Sequence, residues 1–287
     1  MKRREGILVL LAFICATSVW ATLLTPPPPV PRTDSQAAVN ITITVLPFSS
    51  YEPSFAEVVM TVGRKLYVLY GGLWAVANKS RTIDAEPSPW APKDPTIVRH
   101  EEVEWDEGNK HYAYCMTEWA WGKREVVFMA EKGVPYIVMN VTWTFYNSVY
   151  FEHLCDPYWE QIDRYSVKYD EYVVFEGADG KLYNISYWSL RPTEGGNIST
   201  RTARAGPVGR WLWLSYTRCG LPVGFYFLYQ KGEPVAYIAD FHGNDVKIDW
   251  AEGRRFSGKF SFTVIIIPGM ELDEFREFVE GLPHGDP

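Results

Sequence analysis

The sequence predicts an all-β protein: one large antiparallel β-sandwich with a single short amphipathic helix at its C-terminal end. Three observations lead there. Strand-type runs rich in Val, Ile, Thr, Tyr, Phe and Trp follow one another from residue 39 onward. Gly, Pro, Asn and Asp punctuate them, and no helical period interrupts them, which favours antiparallel pairing over a parallel α/β sheet. The one apolar stripe at spacings of three and four lies near the end: Leu272, Phe275, Phe278, Val279 and Leu282.

In chain order, residues 1–24 read as a signal peptide or an N-terminal membrane anchor. Lys2, Arg3 and Arg4 precede an apolar run of 18 residues, Ile7 to Leu24. That length sits near the lower limit for a spanning helix, and Ala16, Ser18 and Ala21 supply small residues suited to cleavage. The basic start holds the N-terminus inside and sends the rest of the chain out on either reading. Residues 25–38 form a linker: Pro26 to Pro29 with Pro31 give a stiff polyproline II spacer before a polar stretch.

Residues 39–287 form the expected extracellular domain. Strand runs are read at 39–46, 56–62, 65–76, 96–105, 110–121, 125–130 and 136–146. Further runs follow at 166–176, 182–190, 210–218, 223–229, 235–241, 246–250 and 256–267. Asp179-Gly180 is a hairpin turn, because both residues tolerate the positive φ it needs. Residues 84–95, with Pro87, Pro89, Pro92 and Pro95, read as a long irregular loop of the kind that forms lids or rims. Residues 147–163 are aromatic and mixed, and are expected to form a connecting loop with a helical turn. The tail stripe predicts a helix over 271–282, with Glu271, Asp273 and Glu274 in its first turn.

Five sequons follow the leader, at Asn40, Asn78, Asn140, Asn184 and Asn197. None has proline in the middle, so each is a candidate glycan acceptor on the secretory side. The chain has 287 residues and a net charge of −7, which argues against nucleic acid or anionic lipid as the main partner. Membrane contact is expected only through the N-terminal segment. Cys15 lies in the leader, leaving Cys115, Cys155 and Cys219, so at most one intrachain bridge can form. Cys115–Cys155 and Cys155–Cys219 are the open options. Glutamine occurs only three times, at Gln36, Gln161 and Gln230, a poverty in labile amides that suits a thermophilic, archaeal-like exterior.

No phosphate loop, zinc spacing, haem motif or nucleophile elbow is present, so no cofactor and no metal is expected. Candidate chemistry comes from two polar clusters and two tryptophan pairs. In 99–104, His100, Glu102 and Glu104 share one face of a strand, and His100 with Glu102 could move protons in glycoside chemistry. Charged strand faces are more often simply solvated. In 240–245, His242 stands between Asp240 and Asp245, as a base with its orienters or as part of a calcium loop; a polar β-turn is the plainer reading. Trp119 and Trp121 sit two apart with Glu118, Lys123 and Arg124 beside them, and could present a stacking platform for a sugar ring. Trp211 and Trp213 have the same spacing on a strand apolar on both faces, which predicts core.

The order of a Trp-rich strand 210–216, the turn Gly220-Leu221-Pro222, the pair 224–229 and 235–241, and a strand 257–267 ending in Pro268-Gly269 resembles the galactose-mutarotase-like β-supersandwich. The resemblance covers roughly residues 96–283 and implies that fold together with carbohydrate contact. Two functions are therefore expected. One is an exported surface glycoprotein domain that binds or processes carbohydrate. The other is a non-enzymatic cell-envelope, adhesin or filament subunit, with the alternating strand at 40–45 adding to a neighbour's sheet edge.

Overall fold

A computed structural model describes residues 39–45, 56–62, 65–77, 81–84, 97–161, 172–177, 179–186, 191–192, 201–205, 208–214, 222–229, 238–242, 245–250 and 254–282. Side chains are described for 98–151, 154, 156, 173–177, 179–184, 208–214, 222–228, 250 and 254–282. The leader, the linker and the loop expected at 84–95 lie outside these residues, apart from Asp84.

The described chain is antiparallel β-structure with one helix. The strands are β1 (Val39–Val45), β2 (Ala56–Val62), β3 (Lys65–Ala77), β4 (Arg81–Asp84), β5 (Ile97–Glu107), β6 (Lys110–Trp119), β7 (Gly122–Glu131) and β8 (Ile137–Gln161). They continue as β9 (Tyr172–Gly177), β10 (Leu182–Ser186), β11 (Arg191–Pro192), β12 (Arg201–Ala205), β13 (Val208–Leu214), β14 (Val223–Tyr229), β15 (Ile238–His242), β16 (Asp245–Asp249) and β17 (Arg254–Pro268). The helix α1 (Leu272–Glu280) ends the described chain, where the tail stripe placed it.

β8 organises the rest. Its first part, from Ile137, pairs with β7 on one edge and β17 on the other. Its last part, to Gln161, pairs instead with β3 and β16. One wing is therefore β5-β6-β7-β8-β17-β14-β13-β9-β10. The other runs β1-β2-β3-β8-β16-β15-β12-β11, with β4 beside the end of β3. Straight, its 25 residues would span about 80 Å at ~3.3 Å each, against a domain about 45 Å across.

The strand bends where its register slips: Phe256 faces Val149 and Gly258 faces Phe145, so β8 advances four positions while β17 advances two. Gly258 takes φ 71° there, open to glycine at little cost, and Tyr146, Asn147 and Ser148 are pushed out to solvent. The connecting loop expected at 147–163 is thus strand up to Gln161. Partners on both edges satisfy its backbone, and its Tyr, Phe and Trp content suits a pleated surface.

The bend lays the second wing over one face of the first. On that inner face Val126, Phe128, Met139, Val141, Val264, Ile266 and Leu212 are all buried, and β1 lies against β5, β6 and β7. β1 itself pairs with β2 over its full length, so it belongs to a sheet of its own chain. The opposite, outer face has two halves. At one end α1 buries Phe275, Phe278 and Val279 against Val138, Trp211, Trp213, Tyr226, Ile265 and Ile267. Toward the bend the same face carries Thr142, whose Oγ1 meets Ser261 Oγ at 3.1 Å, then the row Lys123, Thr144 and Lys259.

The Asp179-Gly180 hairpin joins β9 to β10, with Gly180 at φ 73°. Lys181 Nζ stands 3.0 Å from Asp179 Oδ2, and its hydrogen bond holds the carboxyl below the ordinary aspartate value.

Candidate functional site at the bent end of the inner face

β5, β6 and β7 are joined by short antiparallel turns, with Gly108 at φ 64° in the first. Their register sets His100 opposite Thr117, Thr117 opposite Arg124, and Arg124 opposite Trp143 of β8. One transverse row of the inner face therefore reads His100, Thr117, Arg124, Trp143. The next row toward the turn reads Trp119, Gly122, Phe145.

Within the first row, His100 Nε2 lies 2.8 Å from Glu102 Oε1 and Nδ1 lies 3.1 Å from Thr117 Oγ1. The two side chains are 10% and 22% exposed, half-shielded rather than sealed. A histidine fixed at both nitrogens is held in one orientation, which proton transfer requires. The shared face expected for His100, Glu102 and Glu104 is the observed one.

Arg124 and Asp156 form the deepest polar contact described. Arg124 Nε and Nη2 donate to Asp156 Oδ2 and Oδ1 at 2.7 and 2.6 Å, a fork-shaped pair. Trp143 Nε1 also donates to Oδ2, at 2.8 Å, and Trp250 Nε1 donates to the Asp156 carbonyl. Arg124 belongs to the first wing and Asp156 to the far part of β8. The pair therefore fastens β8 in its bent course. Buried charges persist only when paired and hydrogen-bonded, and both Asp156 carboxylate oxygens accept here. Nothing local marks Asp156 as Arg124's partner: the two are 32 residues apart.

The aromatic row holds Trp119, Trp121, Trp143 and Phe145. Trp119 stacks on Trp121 at 5.2 Å and on Trp143 at 5.8 Å, and Trp143 stacks on Phe145 at 5.6 Å. Trp119 is 2% exposed. An open platform is therefore not what Trp119 provides; it is core, stacked between Trp121 and Trp143 of β8, while Phe145 and Phe151 close on Trp121. Trp121, in the β6–β7 turn, is half-buried.

The second cluster is placed by backbone alone. His242 pairs with Asp245 across the β15–β16 hairpin, Asp240 with Lys247, and Arg204 of β12 with Asp240. The side chains of His242, Asp240 and Asp245 lie outside the described residues, and this hairpin is not brought into the row of His100. Among the described residues no group of three His, Cys, Asp or Glu side chains has the arrangement of a metal site.

Of the sequon asparagines, Asn140 is corrected by the fold. It is 7% exposed on β8, between Val127 and Thr263, and its Oδ1 accepts a hydrogen bond from Thr263 Oγ1 at 2.7 Å. A central strand leaves no room for a glycan there. Asn184 is exposed on β10. The side chains of Asn40, Asn78 and Asn197 lie outside the described residues. Cys115 is buried opposite Val126, while the side chains of Cys155 and Cys219 fall outside.

The fold is thus that of a large antiparallel β-sandwich with one C-terminal helix. No family model and no curated protein matches the chain. Solved structures to which it is similar include a GH36 α-galactosidase of Geobacillus stearothermophilus, at 8% identity and a TM-score of 0.40, covering 78% of this chain and 41% of that one. An α-galactosidase of Lactobacillus brevis is similar at 8% identity and a TM-score of 0.42, covering 79% of this chain and 39% of that one. An Escherichia coli protein assigned as an aldose 1-epimerase is similar at 8% identity and a TM-score of 0.35, covering 80% of this chain and 99% of that one. The chain spans well under half the length of the α-galactosidases.

Proposed function

We propose that this chain is an exported, surface-displayed glycoprotein domain that binds or processes carbohydrate at the bent end of its inner face. One observation carries the reading. The half-buried indole of Trp121 rests on the stack beside the row holding the His100–Glu102 pair. A flat ring supplies stacking for a pyranose, and a hydrogen-bonded histidine–carboxylate pair orients hydroxyls or moves a proton at the anomeric end. The expected export follows from the basic, apolar leader, and the exposed Asn184 is the acceptor the described fold leaves accessible.

Glycan-array binding of the full chain tests the site. Trp121→Ala and Glu102→Gln are expected to weaken retention of the same neutral oligosaccharides; unchanged retention in both sinks the assignment. Proton transfer makes a sharper demand. If the pair is catalytic, Glu102→Gln should abolish turnover of a bound sugar followed by NMR while binding persists. Intact-mass spectrometry of native protein checks export, with glycan expected at Asn184 and none at Asn140.

A further inference from the structure

Six described cations, Arg99, Lys110, Lys123, Arg124, Lys181 and Arg210, form ion pairs with carboxylates. Arg255 and Lys259 on β17 do not, among the described residues, although both are exposed. They share the outer face: Arg255 pairs in register with Tyr150 and Lys259 with Thr144, on either side of the β8 bulge. The Arg255 guanidinium stands 5.9 Å from the centre of the Tyr150 ring, an aromatic contact that uses none of its hydrogen-bond donors. Between Lys123 and Lys259 the Thr144 hydroxyl is buried without a hydrogen-bond partner. Two uncompensated cations and an aromatic ring thus line one stretch of a sheet face that no described helix covers, with the buried Thr144 hydroxyl beneath them.

We infer that this outer face at the β8 bulge binds an anionic saccharide, one carrying a uronate carboxylate or a sulfate ester. Arg255 takes the anionic group through a planar fork suited to carboxylate and sulfate alike. Lys259 adds a point charge, and Tyr150 flanks the sugar ring. The chain's net charge of −7 shapes the choice. Its long-range field repels a polyanion such as nucleic acid, whereas a short saccharide with one or two charges meets mainly the local cations. The saccharide part of this inference rests on the carbohydrate reading above; the anion part stands on the cations alone. The site lies on the opposite face of the sheet from Trp121.

The test is calorimetric titration of the full chain with a uronate oligosaccharide, a sulfated one, their neutral counterparts and a short duplex DNA. Anionic sugars are expected to bind at least about tenfold more tightly than neutral ones, as for hydrogen bonds to a charged group. The preference should shrink as salt is raised. Arg255→Gln with Lys259→Gln should remove it while leaving the thermal midpoint and any neutral-glycan binding intact. Lys259→Glu, a single surface change, gives the same answer if the double variant folds poorly. Equal affinity for anionic and neutral sugars, or a preference that survives both variants, overturns the inference. So does tighter binding of the DNA through the same residues. Loss of neutral binding in Trp121→Ala, with anion preference retained, would separate the two sites.

Discussion

Trp119 and Trp121 at one end of the molecule, and Trp211 and Trp213 at the other, have the same spacing and different surroundings. Trp213 donates its Nε1 hydrogen to the Met270 carbonyl at 2.9 Å, and Trp211 meets Phe275 edge-on at 5.6 Å. α1 lies over both, and its packing is aliphatic and aromatic throughout. Trp119 and Trp121 are instead stacked flat with Trp143, next to the buried Arg124–Asp156 pair. The helix end is closed by a segment that carries its own apolar stripe. The bent end is closed by the chain folding back on itself, which brings charge into the interior and leaves one indole at the rim. Two indoles two residues apart therefore signal burial at both ends; which ring reaches solvent depends on what covers them.

The largest expected effect lies at the bent end. Arg124→Ala leaves Asp156 charged and unpaired, and should cost about 3–5 kcal/mol in denaturant unfolding. Arg124→Met combined with Asp156→Leu should recover most of that loss, since replacing both partners by apolar groups is often near neutral. If the single and double variants are equally unstable, the pair is not what fastens the bend.

Next in size is the contrast within the stack. Trp119→Ala should cost about 3–5 kcal/mol, as large-to-small core changes do. Trp121→Ala should cost less, about 2–3 kcal/mol, because its ring is only partly buried although it also packs on Phe145 and Phe151. Equal losses on thermal unfolding would place Trp121 in the core and remove the rim indole on which the proposed sugar site depends.

The helix end is probed at Gly224. A Cβ there would run into the Phe275 ring. Gly224→Ala should cost about 1–3 kcal/mol as an overpacking change, and less in a Phe275→Leu background, where the ring is absent. A cost independent of Phe275 would mean that α1 does not seat on β14 through that contact.

The smallest effect is a titration. Tyr146 is 47% exposed at the bulge, and its hydroxyl donates to Glu118 Oε1 at 2.5 Å. That bond, with minor help from burial and the carboxylate charges, raises its ionisation from 10.0 to about 12. The contribution is complete below pH 10 and fades as pH rises through about 12. In an alkaline ultraviolet titration Glu118→Gln should return one tyrosine to the ordinary range. Tyr114 should stay un-ionised throughout, because burial first and Glu125 second push it higher still.

Several features of this chain were readable without coordinates because their causes are local. The β6, β7, β14 and β17 strands show as β-formers between turn residues, and the α1 stripe and the Asp179-Gly180 hairpin follow from spacing and positive φ. His100 and Glu102 share a face because strand side chains alternate. Two short strands, β4 and β11, were not readable, for they have too few residues to carry a pattern, and β12 was missed because Arg-Thr-Ala-Arg-Ala holds only one β-former. Nor was the fate of Asn140, whose sequon is the same on an edge or at the centre of a sheet; pairing with Thr263 across 123 residues decided it. The run of β8 to Gln161, the Arg124–Asp156 fastening and the burial of Trp119 all follow from one bend, at a bulge set by the register of β17. Local sequence specifies which way a side chain points from its strand. What that side chain meets is set by long-range pairing, whose partners lie many residues away and leave no mark beside it.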